Sequence, residues 1–403
     1  MRILLHDFGC YAFILPLARW LADQGHQVLH LSAKELVGPR GTPVQRKGDP
    51  PGLTFDTVRL GRPFTRYSLP RRLLDEYRYG RGLVGKILEF QPDLVVSANT
   101  PPLAQAVAFR AARRRAIPCV GWVQDIFSLG AAPMMEKLPK PIATLALAAL
   151  RRLEFGTLSQ AAGLIVIAPS FLASLKDHGV QHPMTLVQEN WAASSPDTVE
   201  RQKAWAEAQG LGGAKIILAA GTLGRKHDPD LLAQLATGLA TLPDVRLIVV
   251  SEGPGRDYLE KLKAVTALPN LSLLDYQPSA QVPAMLASAD IGLVQLNALA
   301  NGMSIPSKVY SYAAAGLPIL AAIPQSNHAA GLIRDYGLGC VVEPDDPHGF
   351  VAAARRLLED APLRQACGAA GLAFTAQHGD IAIIGGRVMA FLEEVRGRTL
   401  QDP

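Results

Sequence analysis

Lys-Ile-Ile-Leu-Ala-Ala, residues 215–220, is an apolar run of strand length, and Gly-Thr-Leu-Gly-Arg-Lys-His-Asp, residues 221–228, follows it directly. A helix-forming stretch at 230–240 comes next. Strand, glycine-bearing loop and helix in this order are the repeating unit of doubly wound parallel sheets, which bind ligands where loops leave the carboxyl ends of strands. Downstream, residues 246–250, 271–274, 291–294, 318–322 and 340–342 read as further strands. Helical patterns at 256–267, 281–288, 307–315 and 347–359 alternate with them. The strands are continuous apolar runs rather than alternating ones, as in a parallel sheet covered on both faces.

The same alternation runs upstream. Residues 3–6, 28–31, 94–97, 119–124 and 163–168 read as strands, and 12–24, 102–116 and 141–162 as helices. The polar stretch NWAASSPD, 190–197, marks a linker between the two halves. The expected fold is α/β, with two Rossmann-like doubly wound domains, 1–185 and 190–375, facing a central cleft. Residues 376–403, with an amphipathic helix at 381–396, are expected to pack back on the first domain.

Composition narrows the function. Of 403 residues 49% are hydrophobic and 19% charged, which suits large buried cores and excludes a disordered chain. Aromatics are 6%, too few for a surface that stacks nucleic-acid bases. Residues 1–185 hold 23 Lys+Arg against 13 Asp+Glu, and the remainder 17 against 22, so the basic character lies in the first half. Four scattered cysteines form neither a metal motif nor a disulfide framework, and they suit a reducing cytosol. The apolar region 141–168 is cut by Arg151, Arg152 and Glu154 and is too short for a membrane span. GxGxxG, GxxxxGK[ST] and GxSxG are all absent, so a nicotinamide site, a P-loop and a hydrolase elbow have no support.

Several loops carry candidate chemistry. Arg225 and Lys226 lie in the 221–228 loop with Gly221 and Leu223, and adjacent cations suit a diphosphate. A solvated loop is the bland alternative. Ser304-Ile-Pro-Ser-Lys308 opens a helix, with Ser304 as its expected N-cap and Pro306 early in its first turn. The amides and side chains of Ser307 and Lys308 would then form an anion pocket. An ordinary capped helix is the alternative. Tyr276, Gln277 and Pro278 end another strand, where main chain can read a base edge. Gly9 could admit a phosphate or simply make a turn. Asp125 follows a buried strand and either orients a sugar hydroxyl or acts as a base, or else simply caps the next segment. Among the histidines only His6 and His227 stand at strand ends.

The order of these motifs resembles the donor-binding domain of glycosyltransferase family 4, the retaining enzymes of the two-Rossmann GT-B fold. The matched stretch runs from GTLGRKHD through SEGPGRDYLEKL and NLSLLDYQPSAQVPAMLASADIGLV to AGLPIL. The resemblance implies that Arg225 and Lys226 hold the donor diphosphate and that 276–278 borders the base. It adds Glu252 and Gly253 to the donor site. Many members carry two glutamates eight positions apart, where this chain has Met303 and Ser311. Ser304, Ser307, Lys308 and Tyr312 are what it offers there. SIPSKVYSYAAAG is similar to a subgroup that builds O-antigen, capsule and colanic-acid-type polysaccharides, such as N-acetylfucosaminyl transferases. In the first half, SANTPPLAQAVAF and VGWVQDIF look like that subgroup's more loosely.

The expectation is therefore a metal-independent glycosyltransferase using a nucleotide diphosphate sugar, uridine-linked, with retention implied by the resemblance. No cofactor is expected beyond that co-substrate. The acceptor would be a saccharide, a polyprenyl-linked sugar or a small molecule. The basic residues Arg59, Arg62, Arg66, Arg71, Arg72, Arg78, Arg81 and Lys86 suggest contact with an anionic membrane from the cytoplasmic side, or else a solvated face. Two rivals stay open: a nucleotide-sugar 2-epimerase of the same fold, with Asp125 and Glu252 as its carboxylates, and a degenerate protein that only binds a sugar nucleotide.

Overall fold

The computed structural model describes residues 1–36, 43–64, 69–135, 138–193 and 203–401. Residues 194–197 of the 190–197 linker lie outside the described residues. The chain divides into two compact units, one of Met1–Glu189, Gly302–Ser304 and Ile381–Pro403, the other of Asn190–Asn301 and Ile305–Asp380.

Unit 1 contains β1 (Arg2–Asp7), α1 (Ile14–Asp23), β2 (Gln27–Ala33), β3 (Leu53–Val58), α2 (Leu69–Phe90), β4 (Leu94–Ala98), α3 (Pro102–Arg113), β5 (Cys119–Val123), α4 (Phe127–Met135), α5 (Lys140–Ser159), β6 (Gly163–Val166), α6 (Pro169–Asp177) and β7 (Thr185–Val187). Its seven strands are ordered β3-β2-β1-β4-β5-β6-β7 and all pair in parallel. The central strands β1, β4 and β5 are buried along almost their whole length, which is why they read as continuous apolar runs. Helix α1 buries Ile14, Leu17, Ala18 and Leu21, one stripe at helical spacing. Gly25, at φ +85°, lets the chain turn back toward β2. The β4–α3 and β6–α6 connections enter their helices through Pro102 and Pro169, whose fixed φ suits a first turn.

Unit 2 contains α7 (Ala204–Ala208), β8 (Lys215–Ala220), α8 (Pro229–Gly238), β9 (Val245–Val250), α9 (Pro254–Val265), β10 (Leu271–Leu274), α10 (Val282–Ser288), β11 (Ile291–Gln295), α11 (Lys308–Ala314), β12 (Ile319–Ala322), α12 (His328–Asp335), β13 (Gly339–Val342), α13 (Pro347–Glu359) and α14 (Ala361–His378). Its six parallel strands are ordered β10-β9-β8-β11-β12-β13. In both units the order reverses beside the first strand, as in dinucleotide-binding sheets. Leu232, Leu235, Leu247, Leu271, Phe350 and Leu357 belong to one core on a face of this sheet. Asp228, Asn327, Asp346 and Asp360 each cap a helix by accepting an amide of its first turn.

The terminal helix α15 (Ile381–Gln401) belongs to unit 1. It packs on α1, with Gly385 against the Trp20 ring, and its Phe391 and Val395 lie over Gly163 of β6. Among the described residues no helix is long and apolar enough to cross a membrane.

Candidate nucleotide site

Three loops meet at the carboxyl edge of the unit 2 sheet. Gly221 leaves β8 at φ +121°, a backbone region open mainly to glycine, and its amide donates to Val250 O at 2.8 Å. The Leu223 amide donates to Ser251 Oγ at 2.9 Å, and the Gly255 amide to Leu223 O at 3.1 Å. A side chain at Gly255 would meet Leu223 Cβ at 2.8 Å, so this approach of α9 to the loop also needs glycine. Thr222 Oγ1 and Tyr276 Oη hydrogen-bond at 2.5 Å, tying in the loop after β10. Gly253 is at φ +104°, and Glu252 beside it is half-buried.

The cations stand on this platform. The Arg225 carbonyl accepts from Asn297 Nδ2 at 2.7 Å, and the Lys226 carbonyl from the Asn297 amide at 2.8 Å. The Asp228 amide donates to Gln295 Oε1 at 3.3 Å. The end of β11 thus clamps the loop's backbone and leaves the Arg225 side chain exposed. Lys308 extends from the start of α11 to lie over Gly221, where an added Cβ would come 2.5 Å from Nζ. Burial pushes its ammonium down to about 8. Burial, then the charges of Lys308 and Lys226, lower His227 to about 4 against its bond to Gly224 O, so its imidazole is neutral at pH 7. Among the described residues neither Arg225 nor Lys308 is ion-paired with a carboxylate.

The helix after Ser304 starts later than the sequence suggests. Helix α11 begins at Lys308, with Ser307 at the N-cap position and no side-chain cap bond. Ser304 is therefore not its N-cap, and Pro306 precedes the helix; Ser304 groups with unit 1. A seven-residue helix offers about half a charge at its end, so the full charge of Lys308 dominates there. Tyr312 points into the core. Its ring lies flat on Gly292, whose Cβ would meet it at 2.5 Å, and its hydroxyl donates to Leu218 O and accepts from Ala220 N, both at 3.1 Å. It braces the end of β8 under the loop and presents no surface to a ligand. Leu223 is likewise buried, packing inward. Gln277 accepts from Trp205 Nε1 at 3.2 Å and donates to Asp275 O at 2.9 Å, while Pro278 is exposed.

Unit 1 has a polar pocket of its own at the carboxyl ends of β4 and β5, lined by Asn99, Thr100, Gln105, Gln124, Asp125 and Glu154 among others. The amides that open α4 are held by Glu154, from α5, which accepts from Phe127 N and Ser128 N, both at 2.7 Å. Burial raises the Glu154 carboxyl against these bonds, and Asp125 adds to the rise. The Asn99 Nδ2 donates to Tyr11 Oη at 2.8 Å, and its buried Oδ1 has no hydrogen-bond partner among the described residues. Beneath, His6 bonds Tyr79 Oη at 2.9 Å and Thr100 Oγ1 at 3.0 Å. Burial first and His30 second hold it down to about 3, a neutral core histidine. Gly9 makes the turn after β1. Its amide donates to the buried Asp7 carboxylate at 3.1 Å, and the Tyr11 ring fills the space above it.

The basic stretch divides in two. Arg62 pairs with Asp75 at 2.5 Å, Arg72 with Glu76 at 2.9 Å, and Lys86 with Asp56 at 2.8 Å. Arg59, Arg71, Arg78 and Arg81 are exposed and without a carboxylate partner among the described residues. Arg66 lies outside them. Asn297, Gln295 and Glu154 are the residues that sequence reasoning missed; each acts through a long-range hydrogen bond with no local signature.

Two parallel-sheet units of this topology define the GT-B architecture of glycosyltransferases. Residues 201–373 match the family described as glycosyl transferases group 1, and residues 8–191 match the glycosyl transferase 4-like domain. The chain is 29% identical over 213 residues to the probable glycosyltransferase WbjE of Pseudomonas aeruginosa, covering 52% of each protein. It is 28% identical over 145 residues to the putative colanic acid biosynthesis glycosyl transferase WcaI of Escherichia coli K12, covering 36% of this chain and 35% of that one. The alignments thus span about half of the first relative and a third of the second. Among solved structures, Anabaena Alr3699/HepE in complex with UDP superposes with a TM-score of 0.68 at 18% identity, over 98% of this chain and 100% of that one. WaaG, a glycosyltransferase of lipopolysaccharide biosynthesis, gives 0.68 at 16% identity, over 97% and 99%.

Proposed function

We propose that the chain is a glycosyltransferase whose unit 2 binds a nucleotide diphosphate sugar, uridine-linked, and that unit 1 receives a saccharide, lipid-linked or small-molecule acceptor. The observation that carries this reading is the Lys308 ammonium over Gly221, beside a loop whose Arg225 and Lys226 carbonyls are clamped by Asn297. A diphosphate placed there meets cations held in advance, and such preorganised charge stabilises a leaving diphosphate with little reorganisation. HepE crystallised with UDP and with UDP-glucose supports a uridine donor. Retention follows from the family resemblance. In that case a phosphate oxygen takes the acceptor proton, and no strong protein base is needed. Asp125 at the unit 1 pocket would then orient an acceptor hydroxyl. Metal independence and a cytoplasmic location belong to the same reading.

The test is nucleotide release. UDP should form from a UDP-sugar only when acceptor is added, and Arg225→Ala should suppress it. Epimerised donor without transfer would overturn the reading in favour of an isomerase. Met303 and Ser311, standing where the family resemblance places two glutamates, favour a second reading, a protein that binds the donor without turnover. Tight UDP-sugar binding with no product over a broad acceptor panel would select it.

A further inference from the structure

Helices α2, α3 and α5 pack side by side, α2 on α3 and α3 on α5. All three follow strands that step the same way across the sheet, so right-handed crossovers put them on one face. Their outer surfaces therefore face the same direction, and their N-terminal halves lie at the carboxyl edge. On α2 that surface carries Leu73, Leu74 and Tyr77, between 43% and 47% exposed, with Arg71, Arg78 and Arg81 interleaved at helical spacing. On α5 it carries Ile142, 55% exposed, and Leu145, 73% exposed, between the exposed cations Lys140 and Arg152. Single exposed leucines are ordinary, but two stripes on one face, one on each side of α3 and both framed by cations, are not.

The charge is one-sided. Asp75 and Glu76 are buried and consumed by Arg62 and Arg72, and Glu154 is buried as a helix cap. Between residues 57 and 152 the only exposed carboxylate among the described residues is Glu89, at the far end of α2. Arginines around apolar tips match the interface of a bilayer, where guanidinium groups meet anionic headgroups and leucine and tyrosine enter the acyl boundary. A second copy of the chain fits poorly, because a symmetric contact would set these cations against one another.

We propose that the outer face of α2 and α5 docks on an anionic lipid bilayer, holding the mouth of the Asn99–Asp125 pocket toward lipid-borne material. The docking is independent of the donor reading; only its purpose, delivery of a lipid-linked acceptor, rests on it. The experiment is co-sedimentation of the full chain with phosphatidylcholine vesicles, with and without phosphatidylglycerol, at low and high salt. UDP binding is measured in parallel on every variant to show that it is folded. Binding is expected only with phosphatidylglycerol and should weaken with salt. Arg78→Gln with Arg81→Gln should weaken it about thirtyfold. Leu74→Ser with Tyr77→Ser should lower it about tenfold at fixed salt. No binding to phosphatidylglycerol vesicles overturns the proposal, whether or not UDP binds. So does binding indifferent to Leu74→Ser with Tyr77→Ser and matched by soluble heparin, which marks a polyanion surface. Concentration-dependent dimerisation abolished by Leu145→Ser overturns it in favour of a self-association face.

Discussion

Gly221→Ala separates what the loop needs for folding from what it needs for ligand. At φ +121° an alanine is strained by roughly 1–3 kcal/mol. For a folding unit of this size that predicts a melting point lower by roughly 2–12 °C. The added methyl would also stand 2.5 Å from Lys308 Nζ, whereas relaxed contacts of such atoms need about 3.5 Å or more. The obstacle is the tip of a flexible side chain, so the fold relieves it by moving the ammonium roughly 1 Å at little further cost. A charge-assisted hydrogen bond to a phosphate oxygen is worth about 1.5–3 kcal/mol, so losing it should weaken UDP about 10- to 150-fold. Lys308→Met is the control. It keeps the bulk, removes the charge and should lose comparable affinity without the drop in melting point. Calorimetric titration with UDP and a thermal melt of each variant decide the matter. If Gly221→Ala bound UDP as tightly as the unaltered chain, the assignment of Lys308 to the diphosphate would be refuted.

Further outcomes follow from the same geometry. Lys308 titrates near 8 when free and higher once paired with phosphate, so UDP affinity should be level from pH 6 to 7.5 and fall through and above pH 8, with Lys308→Met flat across that range. Its depressed value also means that the unfolded chain holds this proton more tightly. Lys308→Met should therefore be the more stable protein at pH 7, by up to roughly 3 kcal/mol, with the gap closing as pH rises from 8 to 10.5 in denaturant titrations. Asn297→Ala frees the Arg225 carbonyl; UDP affinity should drop several-fold with little change in melting point. Glu154→Ala strips two buried amides of their acceptor, and unit 1 should lose about 2–4 kcal/mol in urea unfolding. His6, held down to about 3, must stay neutral in the fold, so stability should decline as pH falls from 6.5 toward 3, and His6→Gln should flatten that limb.

Where apolar residues are contiguous, the fold was legible. Residues 215–220, 271–274 and 347–359 form the elements their patterns indicate, because buried parallel strands and amphipathic helices are encoded locally. β3 was not legible: Leu53–Val58 is an edge strand with only Leu53 and Val58 buried, and LTFDTV lacks a run. Helix α2 hid behind its arginines, and α14, rich in alanine and glycine, has no sharp apolar stripe. Arg225 and Lys226 stood out as cations in a loop at a strand end, and Lys308 as a cation at a helix start. The start of α11 did not, because Ser304-Ile-Pro306 satisfies the local rules for a cap while the helix begins only at Lys308. Tyr312 looked available by position, yet Gly292, twenty residues upstream on the next strand, makes the floor that buries it. The clamp by Asn297 spans 72 residues and has no trace in local sequence.

The most direct test of the central claim is calorimetric titration of the pure protein with UDP and with GDP, repeated on Arg225→Ala and Lys226→Ala. Micromolar UDP binding, weaker for GDP and lost in both variants, is the predicted result. No heat from either nucleotide, or UDP binding untouched by both substitutions, would contradict a diphosphate site at the carboxyl edge of the unit 2 sheet.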